Sequence, residues 1–143
     1  MLIRKPIAEV FEAFVNPDIT TQFWFTKGSG RLEPGKQVTW EWSMYRFSIP
    51  VDVKAFEKNS RIVIDWPGQG GQTTVEWAFT ARPDGTTFVD VTNKGFHGDD
   101  DAMVRQALDS TGGFTWVLAG AKAFLEHNIQ LNLVRDRFPE GKK

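Results

Sequence analysis

The spacing of apolar positions along this chain changes period twice. Near the N-terminus Ile7, Val10, Phe11 and Phe14 recur at helical spacing, and Pro6 suits a first helical position. Asn16-Pro17 ends that helix, because a residue preceding proline avoids the helical region. Asp18 is placed to cap a short second helix that ends near Phe23 and Trp24. The glycine-bearing run KGSGRLEPGK then reads as a loop.

From Gln37 to Phe96 the period becomes two. Val38, Trp40 and Trp42 alternate with polar groups, as do Phe47, Ile49, Val51 and Val53. Ile62, Ile64 and Trp66 repeat the pattern, followed by Val75, Trp77 and Phe79, then Val89 and Val91. Turn chemistry separates the runs: EKNS, PGQGG and the hairpin signal Pro83-Asp84-Gly85. The prediction is an antiparallel meander of five strands with one buried face, in which Trp42, Trp66 and Trp77 point inward and Glu41 and Glu76 outward. Pro50 cannot donate to a ladder, so it marks an edge, a bulge or a break.

The last third is helical again. Asp99, Asp100 and Asp101 suit the positive end of a helix dipole. An apolar stripe runs through Met103, Val104, Ala107 and Leu108 and resumes at Val117, Leu118, Ala121, Phe124 and Leu125. Gly112-Gly113 interrupts it and predicts a bend or loosening. Asn128 suits a left-handed helix terminus, and the remainder reads as a short extended tail. Leu118 is expected in the core and Lys122 to be only partly covered and dispensable.

Composition narrows the function. The 143 residues read as a single domain spanning 1–143. Without cysteine there is no disulfide, thiolate metal site or thiol catalysis. A net charge of −1 with no Lys/Arg cluster argues against nucleic acid and anionic membrane as partners. No stretch approaches a membrane span and no signal-like apolar region opens the chain, so the expected location is cytoplasmic. Pattern and composition do not fix an oligomeric state.

Four of the six tryptophans, Trp40, Trp42, Trp66 and Trp77, are in phase with the buried strand face. Rings of this size either fill the gap between sheet and helix or wall a pocket within it. The expectation is both: some close one end, others line a mouth.

Five segments carry a family resemblance: PIAEVFEAFVNP, Trp24-Phe25, LEPGKQVTWEW, PDGTTFVDVTNKGF and GGFTWVLAGAKAFLEHN. In this order they resemble the START-like, birch-pollen-allergen-like (SRPBCC) superfamily, and within it the homologues of the activator of the heat-shock-protein-90 ATPase. The resemblance covers essentially the whole chain and implies an α+β helix-grip fold: a curved antiparallel sheet around a long C-terminal helix, enclosing an apolar cavity. The sequence departs from the family pattern in two ways. Only Met1–Lys5 precede the first helix, so the first strand is short or incomplete, and there is no room for a separate chaperone-binding domain.

The candidate lining of such a cavity comprises Trp24 from the second helix and Trp42, Trp66, Trp77, Phe79 and Asn93 from the strands. Phe96 and His97 add to it from the sheet-to-helix loop, and Trp116 and Gly120 from the terminal helix. Asn93 shares the parity of Val89 and Val91 and so presents an amide inward. His127 reads as a helix C-terminal residue. The two histidines make no zinc set, no Gly-x-Ser-x-Gly elbow or phosphate loop occurs, and neither a cofactor nor a metal is expected. The reading is a binder of a small, mostly apolar molecule with no catalytic residues. Its alternatives are a cyclase- or dehydratase-like enzyme acting on a polyketide-like substrate, with His97 or Asn93 at a carbonyl, and a protein-interaction module related to the chaperone activator.

Overall fold

The computed structural model describes residues 1–141; Lys142 and Lys143, the end of the expected tail, lie outside the described residues. The period-two region forms one antiparallel sheet whose long strands are β3 (Gln37–Trp42), β4 (Phe47–Glu57), β5 (Arg61–Gly68), β6 (Gly71–Ala81) and β7 (Thr87–Lys94). Two strands of two residues each, β1 (Leu2–Ile3) and β2 (Lys27–Gly28), complete the order β1-β7-β6-β5-β4-β3-β2. Segments that short carry no readable alternation, which is why five strands are legible and seven exist. The helices are α1 (Ile7–Val15), α2 (Pro17–Thr20), α3 (Asp100–His127) and α4 (Leu133–Asp136). The result is an α+β helix-grip arrangement.

Strand parity sets the buried face. Val38, Trp40 and Trp42 of β3 are buried, as are Ile62 and Ile64 of β5 and Val75, Trp77 and Phe79 of β6; Trp66 is half-buried. On the outer face Glu76 accepts from Arg61 Nη2 at 2.9 Å across the β5–β6 pair, and Ser43 Oγ donates to Glu41 at 2.6 Å.

Pro50 marks a place where the sheet opens. Its partner Thr39 turns both backbone groups toward Ser29: the Thr39 N–H donates to Ser29 Oγ (2.8 Å), and its carbonyl accepts from the Ser29 N–H (2.9 Å). The Pro50 nitrogen therefore points to the β5 side, where pairing begins only at Asp52–Asp65. Continued in the register of Asp52–Asp65 and Val53–Ile64, the ladder would set Pro50 opposite Pro67. Neither proline has an N–H to give, and the strands part there. A bulge between Val53 and Ala55 adds to the bend.

Three local expectations need correction. The cap of α2 is Asn16, whose side chain accepts from the Asp18 N–H at 3.0 Å, while Pro17 occupies the first turn. The tail is not simply extended: Leu133–Asp136 form a helical turn, too short to show a period, and the Tyr45 hydroxyl donates to the Val134 carbonyl. Gly112 and Gly113 do not interrupt α3. A Cβ on Gly113 would stand 3.3 Å from Arg137 Nη1, and one on Gly112 3.6 Å from Nη2. The pair gives the guanidinium room to lie against the helix while Arg137 donates to Asp109 at 2.8 Å.

Lys122 is only partly covered, as expected, and its head group is engaged. Its ammonium donates to the Leu2 carbonyl (2.8 Å) and to Glu126 (2.5 Å), tying β1 to α3. The Glu126 side chain is only 7% exposed. Burial raises its pKa, but Lys122 and the Arg4 backbone outweigh that and hold the carboxyl below its ordinary value.

The core lies between sheet and helices. Phe11 and Phe14 of α1 pack on Phe79 with ring centroids 5.1 and 5.8 Å away. The C-terminal half of α3 buries Phe114, Val117, Leu118, Gly120 and Ala121. Gly120 permits the closest approach, since a Cβ there would meet the Phe23 carbonyl and Cβ at 3.3 Å. Asp99 caps the start of α3 through the Ala102 N–H (2.8 Å), and Asn128 closes its end in the left-handed conformation at φ 54°.

Candidate functional site

The two halves of α3 differ in how they meet the sheet. Beyond Phe114 the helix is packed down; before it no residue is fully buried, and Val104 and Leu108 are 57% and 68% exposed. Where the two halves meet, against β7, lies a cleft of about 210 Å³. Val91, Asn93 and Phe96 form its sheet side, and Ser110, Phe114 and Leu118 face them from α3. Met1, Val89 and Asp90 on the sheet side and Ala107, Thr111 and Thr115 on α3 complete its edges.

The polar chemistry of the cleft centres on one pair. β7 alternates so that Val89, Val91 and Asn93 turn inward, and the Asn93 amide nitrogen donates to Ser110 Oγ at 2.9 Å. The amide oxygen Oδ1 is buried without a partner. Its surroundings share that condition. Asn93 lies opposite Val75, which makes Thr73 and Trp77 its diagonal neighbours on the same sheet face. Thr73 Oγ1 and Trp77 Nε1 are also buried and unpaired, as is Oε1 of Gln106, one turn before Ser110 on α3. These four are the unpartnered buried side-chain atoms among the described residues. Of the four residues only Asn93 belongs to the cleft lining.

The tryptophans occupy the other end of the interlayer space and fill it. The Trp24 ring meets Trp40 at 4.9 Å, Trp77 at 5.9 Å, Trp66 at 6.1 Å and Trp42 at 6.3 Å, and Phe25 stacks on Trp40 at 4.6 Å. Phe114 joins this cluster through Trp24, Trp66 and Trp77, each 5.8 Å away, and presents its other side to the cleft. Phe79 sits beneath α1, and Gly120 against Phe23. Trp116 stands two residues, about 200° of helix rotation, from Phe114, where Arg137 lies 5.1 Å from its ring centre.

His97 lies outside the cleft lining and ties the start of β6 to α3. Its Nε2 donates to the Gln72 carbonyl (3.0 Å), and its own carbonyl accepts from Gln106 Nε2 (2.6 Å). Only glycine fits beneath it: a Cβ on Gly71 would stand 2.7 Å from the ring. The structure thus gathers Asn93 and Phe96 at the cleft, gathers Trp24, Trp42, Trp66 and Trp77 in the aromatic cluster, and leaves Trp116 and His97 elsewhere. Ser110 and Phe114 were not singled out from the sequence as lining residues. Phe114 lies three and four residues before Val117 and Leu118, so the helical period could have revealed it. Ser110 had no such signal, because its partner is on a strand 17 residues away.

A second depression of about 440 Å³ between α1 and the β4–β5 hairpin is floored by Phe11 and Phe56 and rimmed by the Arg31–Glu12 ion pair. It contains none of the unpaired buried atoms. Among the described residues no group of three or more His, Asp or Glu side chains is placed to hold a metal, and no helix is long and apolar enough to cross a membrane.

The family model described as Activator of Hsp90 ATPase homolog 1-like protein matches residues 4–125. Among solved structures, protein SSP2350 from Staphylococcus saprophyticus is 31% identical, with 92% of this chain and 91% of that chain covered and a TM-score of 0.76. DynU16, a protein of the dynemicin biosynthetic locus, is 21% identical over 91% of this chain and 46% of its own, with a TM-score of 0.73. The Aha1 dimer from Colwellia psychrerythraea is 18% identical over 89% and 92%, at 0.70. No match was found among curated proteins.

Proposed function

The chain belongs to the family of Activator of Hsp90 ATPase homolog 1-like proteins, and from that premise we propose that it binds a small, mostly apolar molecule in the cleft between β7 and α3. One observation carries the reading: the layers part between β7 and α3 to leave a cleft with apolar walls at Val91, Phe96, Phe114 and Leu118 and the hydrogen-bonded Asn93–Ser110 pair beside them. Thr111 and Thr115 add hydroxyls to the same lining. Apolar walls with polar groups at fixed positions suit a small-molecule site.

The cleft lies away from the tryptophan cluster. That cluster closes one end of the interlayer space and gives the site a rigid back wall through Phe114. The DynU16 likeness is compatible with a small-molecule role but at 21% identity supports the fold alone.

The test is a plug. Ala107 lines the cleft on α3, and Ala107→Phe places a ring in the space a guest would take. Native protein titrated with small apolar probes should show saturable shifts in its NMR spectrum at β7 and α3 residues. The plugged variant, still folded by circular dichroism, should show none. Saturable binding that survives the plug, or no saturable binding by the native protein, overturns the reading.

A further inference from the structure

Gly112 and Gly113 stand where the two halves of α3 meet, and one side chain is fastened across them. Glycine is the weakest helix former after proline, so two in succession make this the point at which α3 opens most readily. From Phe114 onward the helix is held down by apolar contact. Before the glycines no residue is fully buried, and this half rests on polar ties to the sheet: Asn93 to Ser110 at 2.9 Å, and the His97 ring to the Gln72 carbonyl at 3.0 Å.

Arg137 spans the junction. Its Nη2 donates to Asp109 Oδ1 at 2.8 Å, three residues before the glycine pair. Its guanidinium carbon lies 5.1 Å from the centre of the Trp116 ring, three residues after the pair, and as far from the Phe138 ring. The guanidinium comes from outside α3. It is carried by the segment around α4, which Tyr45 anchors by donating to the Val134 carbonyl and to that of Arg135 (3.3 Å). One contact on each side of a weak point acts as a splint, and it accounts for a helix that runs unbroken through two glycines. We propose that residues 100–112 form a lid over the cleft, hinged at Gly112-Gly113 and latched by Arg137. The cleft is lined from both sides of the hinge, by Ala107, Ser110 and Thr111 before it and Phe114, Thr115 and Leu118 after it, so movement there changes its width. On the reading that the cleft is a binding site, release of the latch is the step that admits a guest.

Amide hydrogen exchange followed by NMR, without ligand, tests the latch in native protein, Arg137→Met, Asp109→Asn and Arg137→Met combined with Gly113→Ala. The amides of residues 113–116 report most directly, because their hydrogen bonds run to carbonyls four residues earlier, across the glycines. Losing one hydrogen bond and one cation–π contact at a partly exposed site corresponds to about a tenfold change in an opening equilibrium. In Arg137→Met these four amides should exchange about tenfold faster while those of residues 120–126 keep their native rates. Asp109→Asn, which removes charge alone, should act on the same amides by a smaller factor. Gly113→Ala strengthens the helix at the hinge and should restore slow exchange in the Arg137→Met background. Exchange that is unchanged in Arg137→Met, or raised evenly along α3, overturns the latch. Exchange raised at 113–116 and not restored by Gly113→Ala overturns the hinge. With no ligand in the sample, neither result depends on whether the cleft binds one.

Discussion

Replacing Lys122 by methionine should destabilise this protein in a way that depends on pH and on Glu126. Methionine keeps the length of the side chain and removes its charge, so packing changes little. The variant loses one donor to the Leu2 carbonyl and one to Glu126, whose carboxylate is nearly covered. Hydrogen bonds to charged groups contribute about 1.5–3 kcal/mol each, and breaking a fully buried pair costs about 3–5 kcal/mol. Lys122 is itself one-third exposed, so water screens the pair and rehydrates part of what is left. A net loss of about 2 kcal/mol follows. For a chain of this length about 3–4 °C of Tm accompanies each kcal/mol, giving a fall of about 7 °C at neutral pH. The pH dependence has a definite sign. The Glu126 carboxyl is held below its unfolded value of 4.5, so its contribution is complete above that pH and fades as pH falls through the folded value. The deficit of the variant should therefore be constant near neutrality and shrink below about pH 4.5. Urea denaturation of native protein, Lys122→Met, Glu126→Gln and the double variant measures the coupling directly. A loss under about 0.5 kcal/mol at pH 7, or a deficit undiminished by Glu126→Gln, would refute the reasoning.

Two further outcomes follow from the packing. Leu118→Asp sets a carboxylate between α3 and the sheet, one helical turn from a Lys122 ammonium already engaged by the Leu2 carbonyl and Glu126, and should cost more than about 3 kcal/mol, well beyond Lys122→Met; equal melts would remove Leu118 from the core. Gly71→Ala should displace His97, because the new Cβ would stand 2.7 Å from its ring where φ is +157°, and the His97 ring resonances should shift; an unchanged His97 spectrum would show that the ring does not rest on the β5–β6 hairpin.

What could be read in the chain follows from the range of the interactions involved. Alternation through Val38, Trp40 and Trp42, or Val75, Trp77 and Phe79, fixes the buried face because period two leaves no other register. The helix cap at Asp99 and the left-handed Asn128 are equally local and legible. β1 and β2 are too short to carry a period, and each exists only because a long strand lies beside it. The role of Gly112-Gly113 needed Arg137, and that of Lys122 needed Leu2, 120 residues away. At the cleft, parity turns Asn93 inward, but its pairing with Ser110 depends on how α3 is rotated above β7. Tryptophan count alone does not choose between filling a core and lining a pocket. Large rings in phase with a buried face fill space by default, and here the Trp24 cluster leaves the opening to smaller neighbours.

The cleft exists because α3 is unevenly packed, and that unevenness has a physical origin in the residues facing it. Beneath the C-terminal half the sheet supplies Trp77, Trp66 and the Trp24 cluster, which reach up to Phe114. Beneath the N-terminal half β7 supplies Val91 and Asn93, and α3 answers with Ala107 and Ser110, all small. Helix and sheet there are held by polar ties at the rim, Asn93 to Ser110 and His97 to Gln106, rather than by apolar contact. Larger apolar groups at 107 or 110 would fill the gap and satisfy the packing rule that governs the rest of the core. Such a change would stabilise the fold if it fitted, and it would close the recess between β7 and α3.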